Sequence, residues 1–223
     1  MTSDIRAVDP QTALFAVSLA SAIGYGLTIR AAPSIPRMLV KTASIGALAV
    51  ISTRLAAPRS LVAAQAFGAL GDAFLAWDGE APFLCGLASF LTAHTFYIGL
   101  FARTGLGSHL VLLEVWRLGV ALAMLVVAVG MVVMLLPRVA RDLRVPIVVY
   151  SVAIYAMVLA ALTIDNARLV TGAILFTASD SLLATEKFLL SRESSHRVWI
   201  EHAVWTLYYG GQVLIMNGLL ETL

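Results

Sequence analysis

Residues Leu110–Leu136 read LVLLEVWRLGVALAMLVVAVGMVVMLL. Beyond Glu114 and Arg117, nothing ionisable interrupts this run before Pro137. A bilayer core takes roughly 20 apolar residues per helix, so the stretch reads as a transmembrane helix. Seven further stretches of this kind surround it, at about Thr12–Ile29, Ile35–Thr53, Ser60–Trp77, Pro82–Phe101, Val145–Ile164, Arg168–Leu190 and Trp199–Leu220. The breaks between them carry turn residues: Pro33 and Pro36, Pro58, Asp78-Gly79-Glu80, Gly105-Leu106-Gly107, Pro137 and Pro146, Asp165-Asn166, and Ser191 to Arg197. The expected fold is an all-α integral membrane protein of eight transmembrane helices, with residues 1–223 as one domain.

Composition agrees. Of 223 residues, 60% are hydrophobic and 13% charged, about half the charged share of a soluble domain. The mean hydropathy is +0.91. A soluble fold of this length has nowhere to hide so much apolar surface, whereas a bilayer accepts it. A net charge of +2 without a basic stripe argues against nucleic acid. The single cysteine, Cys85, excludes an intrachain disulfide and a cysteine zinc site. Met1–Pro10 lacks a basic leader pattern, so the first helix is expected to act as its own insertion signal.

Eight helices put both termini on one side. That side carries Arg6, Arg54, Arg59, Arg103 and Arg168, and the other carries Arg30, Arg37, Arg138, Arg141, Arg144, Arg192 and Arg197. The arginine excess points the second side to the cytoplasm and the termini outward.

A short repeat lies in the third and seventh stretches. Gly71-Asp72-Ala73-Phe74-Leu75-Ala76 and Ser179-Asp180-Ser181-Leu182-Leu183-Ala184 share the pattern small–Asp–small–large–Leu–Ala. Helices four apart run in the same direction. Each aspartate falls at the same step after its expected helix start, Ser60 or Arg168, roughly 18 Å along the axis. Two carboxyls at one depth on parallel helices fit two four-helix halves related by an axis along the membrane normal.

Ionisable groups in hydrocarbon cost a few kcal/mol or more and need a reason. Lys41, Asp72, His94, Asp180 and Lys187 lie within the stretches, with Glu201 and His202 at the start of the last. Helical spacing puts Phe90, His94, Tyr97 and Phe101 on one face, Gly172, Phe176, Asp180, Leu183 and Lys187 on a second, and Trp205, Tyr208 and Gln212 on a third. Gly68, one turn before Asp72, leaves room for a neighbouring helix. Simpler readings exist for several groups. An aspartate can be the structural partner of Lys41 or Lys187, and His94 can be a satisfied interior histidine. Lys187 lies near a helix end and can snorkel to the interface. Trp77, Trp116 and Trp199 fit an interfacial belt, whereas Tyr208 and Tyr209 lie too deep for one. Glu114 and Arg117 read as a structural i, i+3 pair, and His109 and His196 as loop residues.

Two buried carboxyls suit acid–base work, because desolvation and mutual repulsion favour one proton shared between them. Such a pair protonates an acetal-like substrate with one group and activates water with the other. Zinc catalysis wants about three protein ligands, and His94, Asp72 and Asp180 are the only set deep enough, so no metal is expected. No G-x-S-x-G, phosphate loop or dinucleotide fingerprint is present, and no cofactor is expected. A proton-coupled transporter of lipids or small molecules also suits buried carboxyls and a repeat, and a purely structural role would make the aspartates helix glue.

Three segments carry a resemblance to a known family. They are Leu70–Leu75 followed by Phe83-Leu84-Cys85-Gly86-Leu87, Phe90, His94 and Tyr97; then Gly172–Phe176 with Ser179-Asp180-Ser181 and Lys187-Phe188; and Tyr208-Tyr209 with Gln212. In these the chain resembles the YhhN-like lysoplasmalogenases. Lys41 matches the lysine of a Lys-Pro step in that family, with Thr42 here in place of the proline, a departure that bears on the shape of the second helix. The resemblance implies an eight-helix membrane enzyme that cleaves the vinyl ether bond of lysoplasmalogens to a fatty aldehyde and a glycerophospho-alcohol. It implies a lysophospholipid partner and a bacterial inner-membrane location, and small residues on the helices leave a homodimer open. Vinyl ether hydrolysis begins with protonation of the β-carbon, and Asp72 and Asp180 are expected to be the acid/base pair, with Asp180 favoured as the acid. Lys41, His94, Tyr97, Ser179, Lys187, Tyr208, Tyr209 and Gln212 are expected to bind or orient substrate, water or the carboxyls.

Overall fold

The computed structural model describes residues 9–191 and 193–223. Residues 1–8 and Arg192 lie outside the described residues, so the insertion-signal reading and two arginines of the charge balance, Arg6 and Arg192, do too. Nine helices form among the described residues: α1 (Pro10–Leu27), α2 (Ile35–Arg54), α3 (Arg59–Leu75), α4 (Glu80–Thr104), α5 (Ser108–Leu113), α6 (Val115–Leu135), α7 (Arg141–Ala161), α8 (Ala167–Phe188) and α9 (His196–Leu220).

The helix starts follow local chemistry. Asp9, Ser34 and Asn166 accept from the backbone N–H of Thr12, Arg37 and Leu169, satisfying groups a helix start leaves open. Pro10 and Pro36 sit in first turns, where their missing N–H costs nothing. Gly79 takes a positive φ of 122° ahead of α4, which only glycine adopts freely. α2 runs unbroken through Thr42, the position where the resembled family has proline.

Three expectations are corrected. The fifth stretch is not one helix: the chain is extended at Glu114, splitting a short α5 from α6. Its carboxylate accepts from Trp116 Nε1 and Arg117 Nε, both at 2.7 Å, and its carbonyl accepts from the backbone N–H groups of Arg117 and Leu118 in the first turn of α6. The bond from Arg117 holds the Glu114 carboxyl below the usual range. Arg117 itself is 2% exposed and bonds Leu162 O, Ile164 O and Asp165, so it ties α6 to the end of α7. Pro146 is likewise no break. It lies inside α7, which begins earlier, at Arg141. Early in a helix, proline removes one hydrogen bond without stopping the chain. His109 falls in α5 and His196 opens α9, so neither is a loop residue.

α2, α4, α6, α7 and α8 are long and apolar enough to cross a membrane. α6 turns Val126 (72% exposed) and Val133 (65%) outward, and α7 turns Val152 outward. Helices that present such surfaces outside a buried core are solvated by lipid, and the protein is an integral membrane protein. α1, α3 and α9 fall short of the same standard: α3 has 17 residues, α1 opens on Pro10-Gln11, and α9 carries Arg197, Glu201, His202, Gln212 and Asn217.

Neighbours in sequence pack together: α1 on α2, α2 on α3, α3 on α4, α6 on α7, α7 on α8 and α8 on α9. α4 crosses to α7, and α9 returns to α1 and α2. An aromatic knot fills the centre. Phe90, Phe176 and Tyr208 meet edge to face, with ring centroids 5.3–6.3 Å apart, each pair worth about 0.5–1.5 kcal/mol beyond its burial. The helix faces that carry Phe90, Phe176 and Tyr208 thus meet here, from α4, α8 and α9.

Candidate active site

Asp72 leaves α3 at the knot and is 1% exposed. Lys41 Nζ, from α2, lies 3.5 Å from its Oδ1. Tyr208, from α9, donates to its Oδ2 at 2.9 Å. Gly68 makes the space: a Cβ there would come within 3.1 Å of both Tyr208 Oη and Gln212 Nε2. The Lys41 ammonium also faces the rings of Tyr25 and Trp205, at 5.3 and 6.0 Å, a favourable seat for a cation away from water.

Asp180 leaves α8 with its side chain 9% exposed. Tyr150, from α7, donates to its Oδ2 at 3.1 Å, and His94 Nε2, from α4, lies 3.3 Å from the same oxygen. His94 is fully buried, and its Nδ1 lies 3.2 Å from Met157 Sδ. The helix starts sit one residue earlier than expected, at Arg59 and Ala167, so the two aspartates keep equal positions along α3 and α8.

Two cavities flank the pair. The polar one, about 470 Å³, is lined by Lys41, Asp72, Ser179, Asp180, Lys187 and Tyr208, with Arg30, Arg37, Asp78, Glu186 and Glu201 also on its walls. The second is a narrow apolar groove of about 80 Å³ between α4, α6, α7 and α8. Its walls include Leu87, Met124, Met131, Ile154 and Phe188. Asp180, Leu75, Phe83, Phe90 and Leu183 line both. The cavities therefore meet at Asp180, so an amphiphile can be held across a carboxyl.

The cations divide by what holds them. Arg37 is engaged with Tyr25 and with the carbonyls of Thr28, Ile29 and Ala76. Arg30 pairs with Glu201 at 3.3 Å. Lys187 is exposed and lies 5.0 Å from the Phe83 ring centroid, with no carboxylate partner among the described residues.

The other expected site residues are placed as follows. Tyr97 donates to Gln212 Oε1 at 2.5 Å in a fully buried contact behind the knot. The Ser179 hydroxyl donates to Val204 O, joining α8 to α9. Tyr209 lies on the far side of α9, where its phenol is 2.9 Å from Ser18 Oγ, and it lines neither cavity. Tyr150, Met157, Tyr25, Arg30 and Arg37 were not anticipated. Tyr150 and Met157 do share the spacing of Ile147, Ile154 and Ala161 along α7, the signal that marks its inward face.

No solved structure matches the chain. It is 36% identical over 171 residues to proteins named lysoplasmalogenase from Mycobacterium bovis and Mycobacterium tuberculosis, covering 72% of this chain and 60% of each relative. It is 32% identical over 147 residues to the human protein named lysoplasmalogenase TMEM86B, covering 66% of this chain and 57% of that one. The match thus spans about 60% or less of the length of these curated relatives. The model of the YhhN family matches residues 36–219, the segment from α2 to α9 that carries both aspartates and all their partners, and the chain belongs to the YhhN family.

Proposed function

We propose that the protein is a lysoplasmalogenase that hydrolyses the vinyl ether bond of a single-chain ether phospholipid. The observation that carries this is the meeting of a polar cavity and an apolar groove at Asp180. In a lysoplasmalogen the vinyl ether joins the hydrocarbon chain to the glycerol, so the scissile bond sits where polar and apolar halves meet. With the chain in the groove and the glycerophosphate in the polar cavity, that bond lies beside Asp180. Relatives named lysoplasmalogenase support the reading.

In this mechanism Asp180 donates a proton to the β-carbon, giving an oxocarbenium ion. Asp72, with Lys41 as counter-charge, acts as the carboxylate that takes a proton from the attacking water. The hemiacetal then collapses. Asp72 returns its proton to the departing glycerol oxygen, and the hydroxyl proton goes back to Asp180, so one water is consumed and both carboxyls are restored.

We also read α1, α3 and α9 as spans, which gives eight spans in one domain and two halves, α1–α4 and α6–α9. The partners of the aspartates support the halves: Asp72 is held from α2 and α9, and Asp180 from α7 and α4, the corresponding helices. If the arginine-rich side is cytoplasmic, the polar cavity opens there, past Arg30 and Arg37.

The deciding experiment incubates the purified protein in mild detergent with lysoplasmenylcholine and lysoplasmenylethanolamine, with the saturated alkyl lysolipid as control. Aldehyde from the vinyl ethers alone is the expected result. A folded sample that releases none would overturn the reading, and liposome uptake would then test the transporter.

Lys187 supplies a second check. It lies two turns past Asp180, about 10 Å along α8, and helical side chains lean back toward the N-terminus. Its ammonium therefore reaches the region a phosphate would occupy a few bonds from the vinyl ether. Lys187→Ala is expected to raise KM about tenfold with kcat kept, the worth of one charge-assisted contact. An unchanged KM would remove Lys187 from the phosphate site.

A further inference from the structure

His94 makes two polar contacts in a fully buried site, and one of them is unusual. Nε2 faces Asp180 Oδ2 at 3.3 Å, and Nδ1 faces the Met157 thioether at 3.2 Å. A thioether accepts a hydrogen bond weakly and has no proton to give. Nδ1 is therefore satisfied only when it carries the hydrogen. A neutral imidazole in that tautomer turns the Nε2 lone pair toward Asp180. If Asp180 were a carboxylate, lone pair would face lone pair. The opposite tautomer bonds Asp180 but sets the Nδ1 lone pair against sulfur in an apolar site, an unsatisfied buried acceptor. Both contacts are made when one additional proton lies between Nε2 and Oδ2. Whether it sits on nitrogen or oxygen, the pair holds the same count.

We propose that Met157 fixes the His94 tautomer so that His94 and Asp180 together store the proton delivered to the vinyl ether. Met157 and His94 are positioning residues, and Asp180 is the group that meets substrate. The step rests on the lysoplasmalogenase reading, whereas the location of the proton does not. On turnover the stored proton forms the new C–H bond at the β-carbon. Neutral His94, protonated at Nδ1, then faces the Asp180 carboxylate. That opposed arrangement draws a proton back from the hemiacetal hydroxyl as the aldehyde forms.

The other groups near the pair leave the argument intact. From α7, Tyr150 donates to Oδ2, and its ring centroid lies 5.4 Å from that of His94. From α8, the Phe176 ring covers His94 at 4.9 Å. On α4 itself, Tyr97 is spent on Gln212. Asp72, with Lys41 and Tyr208, lines the same polar cavity, and Lys187, Glu186 and Glu201 also lie on its walls. No Lys or Arg is bonded to Asp180 among the described residues.

The test is ¹⁵N NMR of the full-length protein labelled at histidine, in detergent and without substrate, with the His94 signals identified by their loss in His94→Gln. The expected wild-type spectrum at neutral pH shows Nδ1 protonated and Nε2 protonated or sharing a proton. An Nε2–H imidazole with bare Nδ1 would overturn the proposal. This readout needs no activity, so it stands even if lysoplasmalogens prove not to be substrates. Met157→Leu keeps the volume and removes the acceptor. It is expected to shift His94 toward the Nε2–H tautomer, lower kcat on the order of tenfold at neutral pH, leave KM within about twofold, and move the alkaline fall in activity to lower pH. A Met157→Leu protein with the wild-type spectrum and pH profile would also overturn it.

Discussion

Asp180→Asn is expected to lower kcat for aldehyde release about a thousandfold, within the range that general acid–base groups supply. Asparagine has nearly the same shape and still accepts from Tyr150, so α7 and α8 keep their contact. What it lacks is a proton for the β-carbon. KM is expected to stay within a few-fold, because the proposed seats of chain and phosphate lie elsewhere, and the thermal midpoint is expected to stay near that of the wild type. Asp72→Asn is expected to lose activity as severely, but it also strands the Lys41 ammonium in the protein interior. Removing one partner of a buried pair typically costs about 3–5 kcal/mol. The informative variant there is Lys41→Met with Asp72→Asn, which restores neutrality. A stable, inactive double variant marks Asp72 as chemical. An active one would make the pair helix glue.

The two aspartates were legible in the sequence because a charge in hydrocarbon stands out whatever surrounds it. His94, Tyr208 and Gln212 were legible by helical spacing. The partners on α7 were hidden for a physical reason. Tyr150 and Met157 occupy inward positions among Ile147, Ile154 and Ala161, where a tyrosine and a methionine read as packing. Only the approach of α4 and α8 turns them into hydrogen-bond partners. Tyr208 and Tyr209 show the reverse. Adjacent residues on a helix point about 100° apart, so one reaches Asp72 and the other Ser18. Hydropathy reads apolar content rather than backbone path, so it passes over the break at Glu114 and starts the next stretch too late, at Val145 rather than Arg141. The pairing of Asp72 with Lys41 was one of the alternatives open in the sequence. Their 3.5 Å contact settles the partner, while the ion pair alone leaves chemistry and packing to the double variant above.

Gly172→Val is expected to lower stability by about 3 kcal/mol, at the upper end for overpacking, and the thermal midpoint in detergent by about 6–12 °C. The reason is a seam where α8 and α9 touch backbone to backbone. A Cβ at Gly172 would lie 2.8 Å from both Gly211 O and Ile215 N, and one at Gly211 would lie 2.9 Å from Gly172 O. Main chain cannot swing aside as a side chain does, so the helices must part. In lipid no hydrophobic force restores the contact, since close packing of small residues is what joins helices there. Gly99→Ala and Gly130→Ala are the controls: both positions face open space, and each is expected to stay within about 0.5 kcal/mol of the wild type. The seam also positions the proposed catalytic pair, because α8 holds Asp180 and α9 holds the phenol bonded to Asp72. Parting the helices moves Asp180 away from the Tyr208 phenol that holds Asp72, the proposed base. Gly172→Val is therefore expected to lose stability and kcat together, whereas Asp180→Asn loses kcat alone. A Gly172→Val protein that melts with the wild type would mean that α8 and α9 do not meet at this seam.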